Sequence, residues 1–154
     1  MSGTDSVTVS VDLAVDPDTA FEVFTKEIDS WYQRGPYSWR HPDRAVGIRF
    51  EPYVSGRLLE VHDRATGEGF AFGEVLVWEP GARLVFADLV SSAPPDPLTE
   101  VEVRFEAAGG GTRVTLEHRG LDQLPPDVAA QKRMYGWQTT LRWFEEHMDK
   151  ETRW

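Results

Sequence analysis

The second half of the chain constrains the fold most. Gly73-Glu-Val-Leu-Val-Trp-Glu-Pro80 turns into Arg83-Leu-Val-Phe-Ala-Asp88, Gly111-Thr-Arg-Val-Thr-Leu-Glu-His118 follows, and Trp137, Leu141 and Phe144 then recur at helical spacing. Strands that alternate apolar and polar residues bury one face and leave the other to water. A helix with an apolar stripe must bury that stripe against something. Laying the helix across the sheet satisfies both demands and leaves a groove between them.

The first half supplies the other layer. Val7, Val9, Val11, Leu13 and Val15 alternate strictly, as a half-buried strand does. Asp16-Pro17 then places an N-cap residue before a proline at the first helical position. Phe21, Phe24, Ile28 and Trp31 follow at helical spacing, so one helix, or a bent pair of short ones, packs inward. Between Ser30 and Arg44 prolines break regular structure while Trp31, Tyr32, Tyr37 and Trp39 accumulate. Such a loop either folds back onto the core or forms the lip of a pocket.

Strands are predicted over 46–51, 57–63, 69–78, 83–89, 99–106 and 112–119, joined by short turns at 65–67, 80–81 and 109–111. Short connections between consecutive strands imply antiparallel pairing. Pro80-Gly81 suits the two central positions of a type II turn. The final helix opens near Pro125-Pro126-Asp127 and runs to about Lys150, with Met134, Trp137, Leu141, Phe144 and Met148 on its buried side. The layout is α+β: a curved antiparallel sheet of about seven strands against a long C-terminal helix, with short helices after the first strand. The 154 residues suit one domain over 1–154 with an ordered core at about 7–150.

Composition narrows the function classes. A net charge of −10 disfavours nucleic acid and anionic lipid, which need a basic surface. Without cysteine there is no disulfide, thiolate nucleophile or cysteine zinc site. No apolar run approaches the roughly 20 residues of a membrane span. The polar opening Met1-Ser-Gly-Thr-Asp-Ser has no signal-peptide pattern, so the expected compartment is the cytoplasm. Arg far outnumbers Lys and Asn is absent, which suits a GC-rich bacterial genome.

These segments, in this order, resemble the START-like superfamily, also called SRPBCC or helix-grip. The branch they are most similar to is the activator of heat-shock-protein-90 ATPase homologue family. The resemblance rests on the opening strand into Asp16-Pro-Asp-Thr-Ala-Phe-Glu-Val-Phe24, on Trp31, and on Gly73-Glu-Val through Pro80 to Arg83-Leu-Val-Phe86. Gly111-Thr-Arg-Val-Thr-Leu-Glu-His-Arg-Gly120 and Gly136-Trp137 with Leu141 complete it, so it covers about Val7 to Met148. It implies a sheet gripping the last helix around a cavity. It also implies a range of roles, from carriage of apolar ligands to co-chaperone work and aromatase/cyclase chemistry.

Alternation proposes the cavity wall. Val114, Leu116 and His118 share a face, as do Val101, Val103 and Phe105. His118 ends its inward row, either as a polar anchor for a ligand or as a rim histidine bonded to backbone or water. Strict alternation puts Phe70, Phe72, Glu74, Leu76 and Trp78 on one face of their strand. If that face is inward, Glu74 enters the groove as a candidate acid or base; otherwise it pairs with an arginine or meets solvent. Glu60 and His62, opposite Leu59 and Val61, are expected to face solvent. On the last helix Tyr135, Gln138 and Arg142 flank the buried stripe, and Arg142 either holds a ligand carboxylate or pairs within the protein.

Nothing in the sequence carries a metal-ligand spacing, a nucleophile elbow, a phosphate loop or a dinucleotide fingerprint, and no cofactor is expected. The leading expectation is binding of a small hydrophobic molecule between sheet and last helix. His118, Glu74, Tyr135, Gln138, Arg142, Phe72, Leu76, Trp78, Phe105, Leu116 and Trp39 are its candidate contacts. A chaperone-interaction module resembling the C-terminal domain of the ATPase activator and an aromatase/cyclase-type enzyme are the alternatives. Either a monomer or a homodimer suits the sequence.

Overall fold

The computed structural model describes residues 6–32, 45–88, 99–121 and 137–151, excluding the side chains of Phe72, Asp88, Trp137 and 149–151. Strand β1 (Ser6–Leu13) leads into helices α1 (Pro17–Thr25) and α2 (Ile28–Trp31). Strands β2 (Gly47–Phe50), β3 (Arg57–Val61), β4 (Gly69–Glu79), β5 (Arg83–Asp88), β6 (Thr99–Ala108) and β7 (Gly111–Arg119) follow, and helix α3 (Trp137–Glu151) comes last. The start proposed for the last helix near Pro125, Met134 on its stripe, and the aromatic loop that carries Trp39 lie outside the described residues.

All seven strands form one antiparallel sheet in the order β1-β7-β6-β5-β4-β3-β2. Each strand from β2 to β7 pairs with the next in sequence, so the six form a meander. At Glu79–Ala82 the Ala82 N–H donates to the Glu79 carbonyl at 2.9 Å, and Gly81 takes φ 75°, as a type II turn requires. Among the described strands β1 alone pairs at long range, with Val7 opposite His118 and Val11 opposite Val114. The sheet therefore ends on the strand that leads into α1, which returns the chain across the inner face.

That inner face holds the core. Leu13, Ile48, Phe50, Leu58, Val75, Leu84, Phe86, Val101, Val103, Phe105, Val114 and Leu116 form one cluster with Ala20, Phe21 and Phe24 of α1, Ile28 and Trp31 of α2, and Leu141, Phe144 and Met148 of α3. Phe24 is the hub of the aromatic layer: its ring centroid lies 5.1 Å from Trp31, 5.2 Å from Phe144 and 5.9 Å from Phe105. Most of these contacts are edge-on or tilted, the geometry favoured by the ring quadrupole. The spacing of Phe21, Phe24, Ile28 and Trp31 read from the sequence thus resolves into two short helices on one side of the sheet.

Strict alternation fails along β4. Its register shifts against β3 between Leu58 and Leu59, and against β5 between Val75 and Val77. Each irregularity places an extra residue on β4, at Phe72 and at Leu76, and an extra residue moves every later side chain to the other face. Phe70, Val75 and Trp78 all serve the core as a result, although their spacing is not even. Glu74, opposite Arg57 and Ala87, is on the outer face and exposed, and Leu76 at the second irregularity is 37% exposed.

The outer face carries a charge lattice. Glu102 on β6 accepts from Arg83 Nε of β5 at 2.6 Å and from Arg119 Nη1 of β7 at 2.7 Å. Arg119 also reaches Glu117 and Glu100, each at 3.2 Å. Partial burial opposes ionisation of Glu102, but the two guanidinium groups outweigh it and hold the carboxyl below its ordinary range.

Candidate functional site

The apolar rows that β6 and β7 turn inward each end in a polar residue. Phe21 and Phe24 of α1 set their rings against Phe105, and Val103, Val114 and Leu116 share one cluster with them and with Phe144 of α3. One step further along β7 comes His118, and beyond Val101 on β6 comes Thr99; both are buried, His118 completely. Thr99 Oγ1 lies 2.7 Å from His118 Nε2, so hydroxyl and imidazole satisfy each other within the sheet layer. The contact does work that the fold requires, because a buried imidazole nitrogen without a partner would cost about 1–3 kcal/mol. His118 thus ends its row as expected, with Thr99 as the partner that the residue pattern did not single out. Continuing the Val103, Val101 row by one position would have found it.

A second polar pair lies on the same inner face, on β3. Register places Glu60 between Ile48 of β2 and Phe70 of β4. Glu60 is fully buried, and His62 Nε2 lies 2.9 Å from its Oε1. The expectation that Glu60 and His62 face solvent is overturned. Leu58 and Glu60 share the inner face, whereas Leu59 and Val61 occupy the outer one and are buried as well. An apolar residue on both sides of a strand defeats the rule that the polar set points to water.

The other proposed contacts divide. Leu116 and Phe105 are buried in the core, and Phe105 lies 5.2 Å from Phe21, as does the half-buried Trp78. Those three form wall and packing. Gln138 and Arg142 are exposed on α3, and Glu74 and Leu76 are exposed on β4. Trp39, Tyr135 and the side chain of Phe72 lie outside the described residues. Among the described residues no three His, Asp or Glu side chains are grouped to hold a metal ion, and no helix is long and apolar enough to cross a membrane.

The sheet order, the helix seated across it and the motifs above agree with one sequence family. The profile described as Activator of Hsp90 ATPase homolog 1-like protein matches residues 14–149. The chain belongs to this family. No curated protein gives a significant sequence match. Among solved structures, protein NE0264 from Nitrosomonas europaea is similar at 19% identity and a TM-score of 0.69, with 99% of each chain covered. The Aha1 dimer from Colwellia psychrerythraea is similar at 13% identity and a TM-score of 0.69, with 96% of this chain and 98% of that one covered. CalU16 from Micromonospora echinospora is similar at 19% identity and a TM-score of 0.62, covering 95% of this chain and 77% of that one. At these identities the likeness is one of fold, and it makes the helix-grip arrangement of this family member secure.

Proposed function

We propose that this protein binds a small, largely apolar molecule between the inner face of the sheet and α3. The observation that carries this reading is the fully buried His118, held by Thr99 where an otherwise apolar row ends. A polar group at the margin of an apolar wall can orient a ligand whose affinity comes from burial. At about 25 cal/mol per Å², a ligand burying roughly 250 Å² of apolar surface gains about 6 kcal/mol before ordering costs. A thermal-shift screen of fatty acids, sterols and polycyclic aromatics tests it, with a raised melting temperature expected for one class. A crystal structure in which the chain's own side chains fill the groove overturns it.

A second reading follows from the family itself, whose description is that of an ATPase activator of a chaperone. It predicts that the immobilised protein retains a bacterial heat-shock-protein-90 homologue and stimulates its ATPase. No retention and no stimulation would remove it. The dimeric Colwellia structure adds the expectation of a homodimer, which sedimentation decides.

A further inference from the structure

We propose that Asp29 and Arg64 guard the β2 edge of the sheet, and that without them a second copy of this chain adds there, strand to strand. This holds whatever the inner face binds. β2 ends the sheet on one side, beyond β3. An edge strand presents backbone N–H and C=O groups with which another chain can pair. The bonds to β3 identify those groups. Glu51 N–H donates to the Arg57 carbonyl of β3 at 2.9 Å. N–H groups alternate in direction along a strand, so those of Arg49 and Gly47 also turn towards β3, and those of Phe50 and Ile48 turn away. The planar trans peptide sets the Val46 carbonyl opposite to the Gly47 N–H, so it too points outward.

Two of these outward groups are occupied by side chains. Ile48 N–H donates to Asp29 Oδ1 at 3.1 Å, and Arg64 Nη2 donates to the Val46 carbonyl. The two side chains also pair with each other, Arg64 Nη1 lying 3.6 Å from Asp29 Oδ2. They arrive from different elements. Asp29 belongs to α2, whose Ile28 and Trp31 are anchored in the core. Arg64 belongs to the turn between β3 and β4, where the Asp63 carboxylate accepts from the Ala65 N–H at 2.9 Å.

Gly47 leaves room for the pair. A Cβ at this position would lie 2.9 Å from Asp29 Oδ1 and 3.3 Å from Arg64 Nη2, so a side chain there displaces both. Both guarding side chains are exposed, and exposed ion pairs contribute little to stability. Their effect is to fill two strand-pairing positions with groups that carry no further strand. A second copy is the occupant they exclude. Its own β2 presents the same edge, and a two-fold arrangement satisfies both strands at once.

Sedimentation velocity at rising concentration, with amide exchange read at Ile48, tests this. In the wild type the Ile48 N–H is expected to be equally protected at every concentration. Asp29→Ala combined with Arg64→Ala should expose it, with exchange about tenfold faster in dilute solution. As concentration rises, a species of twice the wild-type mass should appear and the amide should regain its protection. Gly47→Ala keeps every charge and should show the same behaviour more weakly. A double variant that never exceeds the wild-type mass overturns the proposal. So does association that leaves Ile48 unprotected, since the copies would then meet elsewhere. If the double variant does not fold, Gly47→Ala decides by the same two outcomes.

Discussion

Thr99 Oγ1 and His118 Nε2 meet at 2.7 Å, joining β6 to β7 where their inward apolar rows end. The pair is as buried as the phenylalanines nearby, so it answers to the same energetics as the core. Thr99→Val keeps shape and removes the hydroxyl. It is expected to cost about 1–3 kcal/mol, whereas Thr99→Ser should recover most of that. Urea denaturation of the three proteins measures it, and a Thr99→Val protein as stable as the wild type would show that the hydroxyl contributes nothing.

How much was legible depended on whether one face of a strand is polar. In β6 and β7 the outer positions Glu100, Glu102, Arg104, Glu117 and Arg119 are charged, so alternation identified Val101, Val103, Phe105, Val114, Leu116 and His118 as inward. In β3 the same reasoning failed, because Leu58 and Leu59 face opposite ways and both are buried. In β4 it failed for a different reason. An extra residue on a strand leaves no mark in composition, and two register shifts separate the positions of Phe70, Val75 and Trp78. The candidate site was half visible for that reason: His118 ends a regular row, while Glu60 sits on a strand with two buried faces.

The aromatic layer should dominate stability. Phe144 lies 5.2 Å from both Phe24 and Trp31 and is fully buried, whereas Gln138 on the same helix is exposed. Phe144→Ala is expected to cost about 3–5 kcal/mol through lost burial and the cavity left behind. Gln138→Ala should stay within about 0.5 kcal/mol. Equal melting temperatures for the two variants would contradict the placement of α3.

Acid should loosen the turn between β2 and β3. Glu51 accepts from the Arg57 backbone N–H at 2.8 Å, from its Nε at 2.9 Å and from its Nη2 at 3.0 Å. The Arg57 side-chain hydrogen bonds take the Glu51 carboxyl from 4.5 down to about 2. A depressed folded-state value stabilises the fold above the unfolded value and loses that contribution as pH falls through the folded one. The stability gap between wild type and Glu51→Gln should therefore be full above pH 4.5 and shrink towards pH 2. A gap independent of pH across that window would break the assignment.

On the outer face, Glu102 ties β5, β6 and β7 through Arg83 and Arg119. The carboxylate is largely covered and the guanidinium groups are partly exposed, which places these contacts between surface and buried ion pairs. Glu102→Gln should cost about 1–2 kcal/mol. In a double-mutant cycle with Arg83→Met the losses should fall short of additive, since each substitution removes the same contact. Strict additivity would mean that the pair is not coupled.

Ser55 sets the last expectation. Among the described residues it is the non-glycine residue with positive φ, at 72°, in the turn between β2 and β3. Its N–H donates to the Val75 carbonyl at 2.8 Å, and the Val75 N–H donates to the Gly56 carbonyl at 2.8 Å. Those bonds fasten the turn to β4 beside its second irregularity and hold Tyr53 and Val54 out in solvent. An L-residue in this left-handed region costs about 1–2 kcal/mol, and branching at Cβ raises the cost. Glycine relieves it but gives the unfolded chain back roughly 0.4–1 kcal/mol of conformational freedom. Ser55→Gly should therefore gain about 0.5 kcal/mol, and Ser55→Val should lose about 1–2 kcal/mol. Chemical denaturation ranks the three. If valine equals serine, the backbone at this position does not hold positive φ and the turn is fastened in another way.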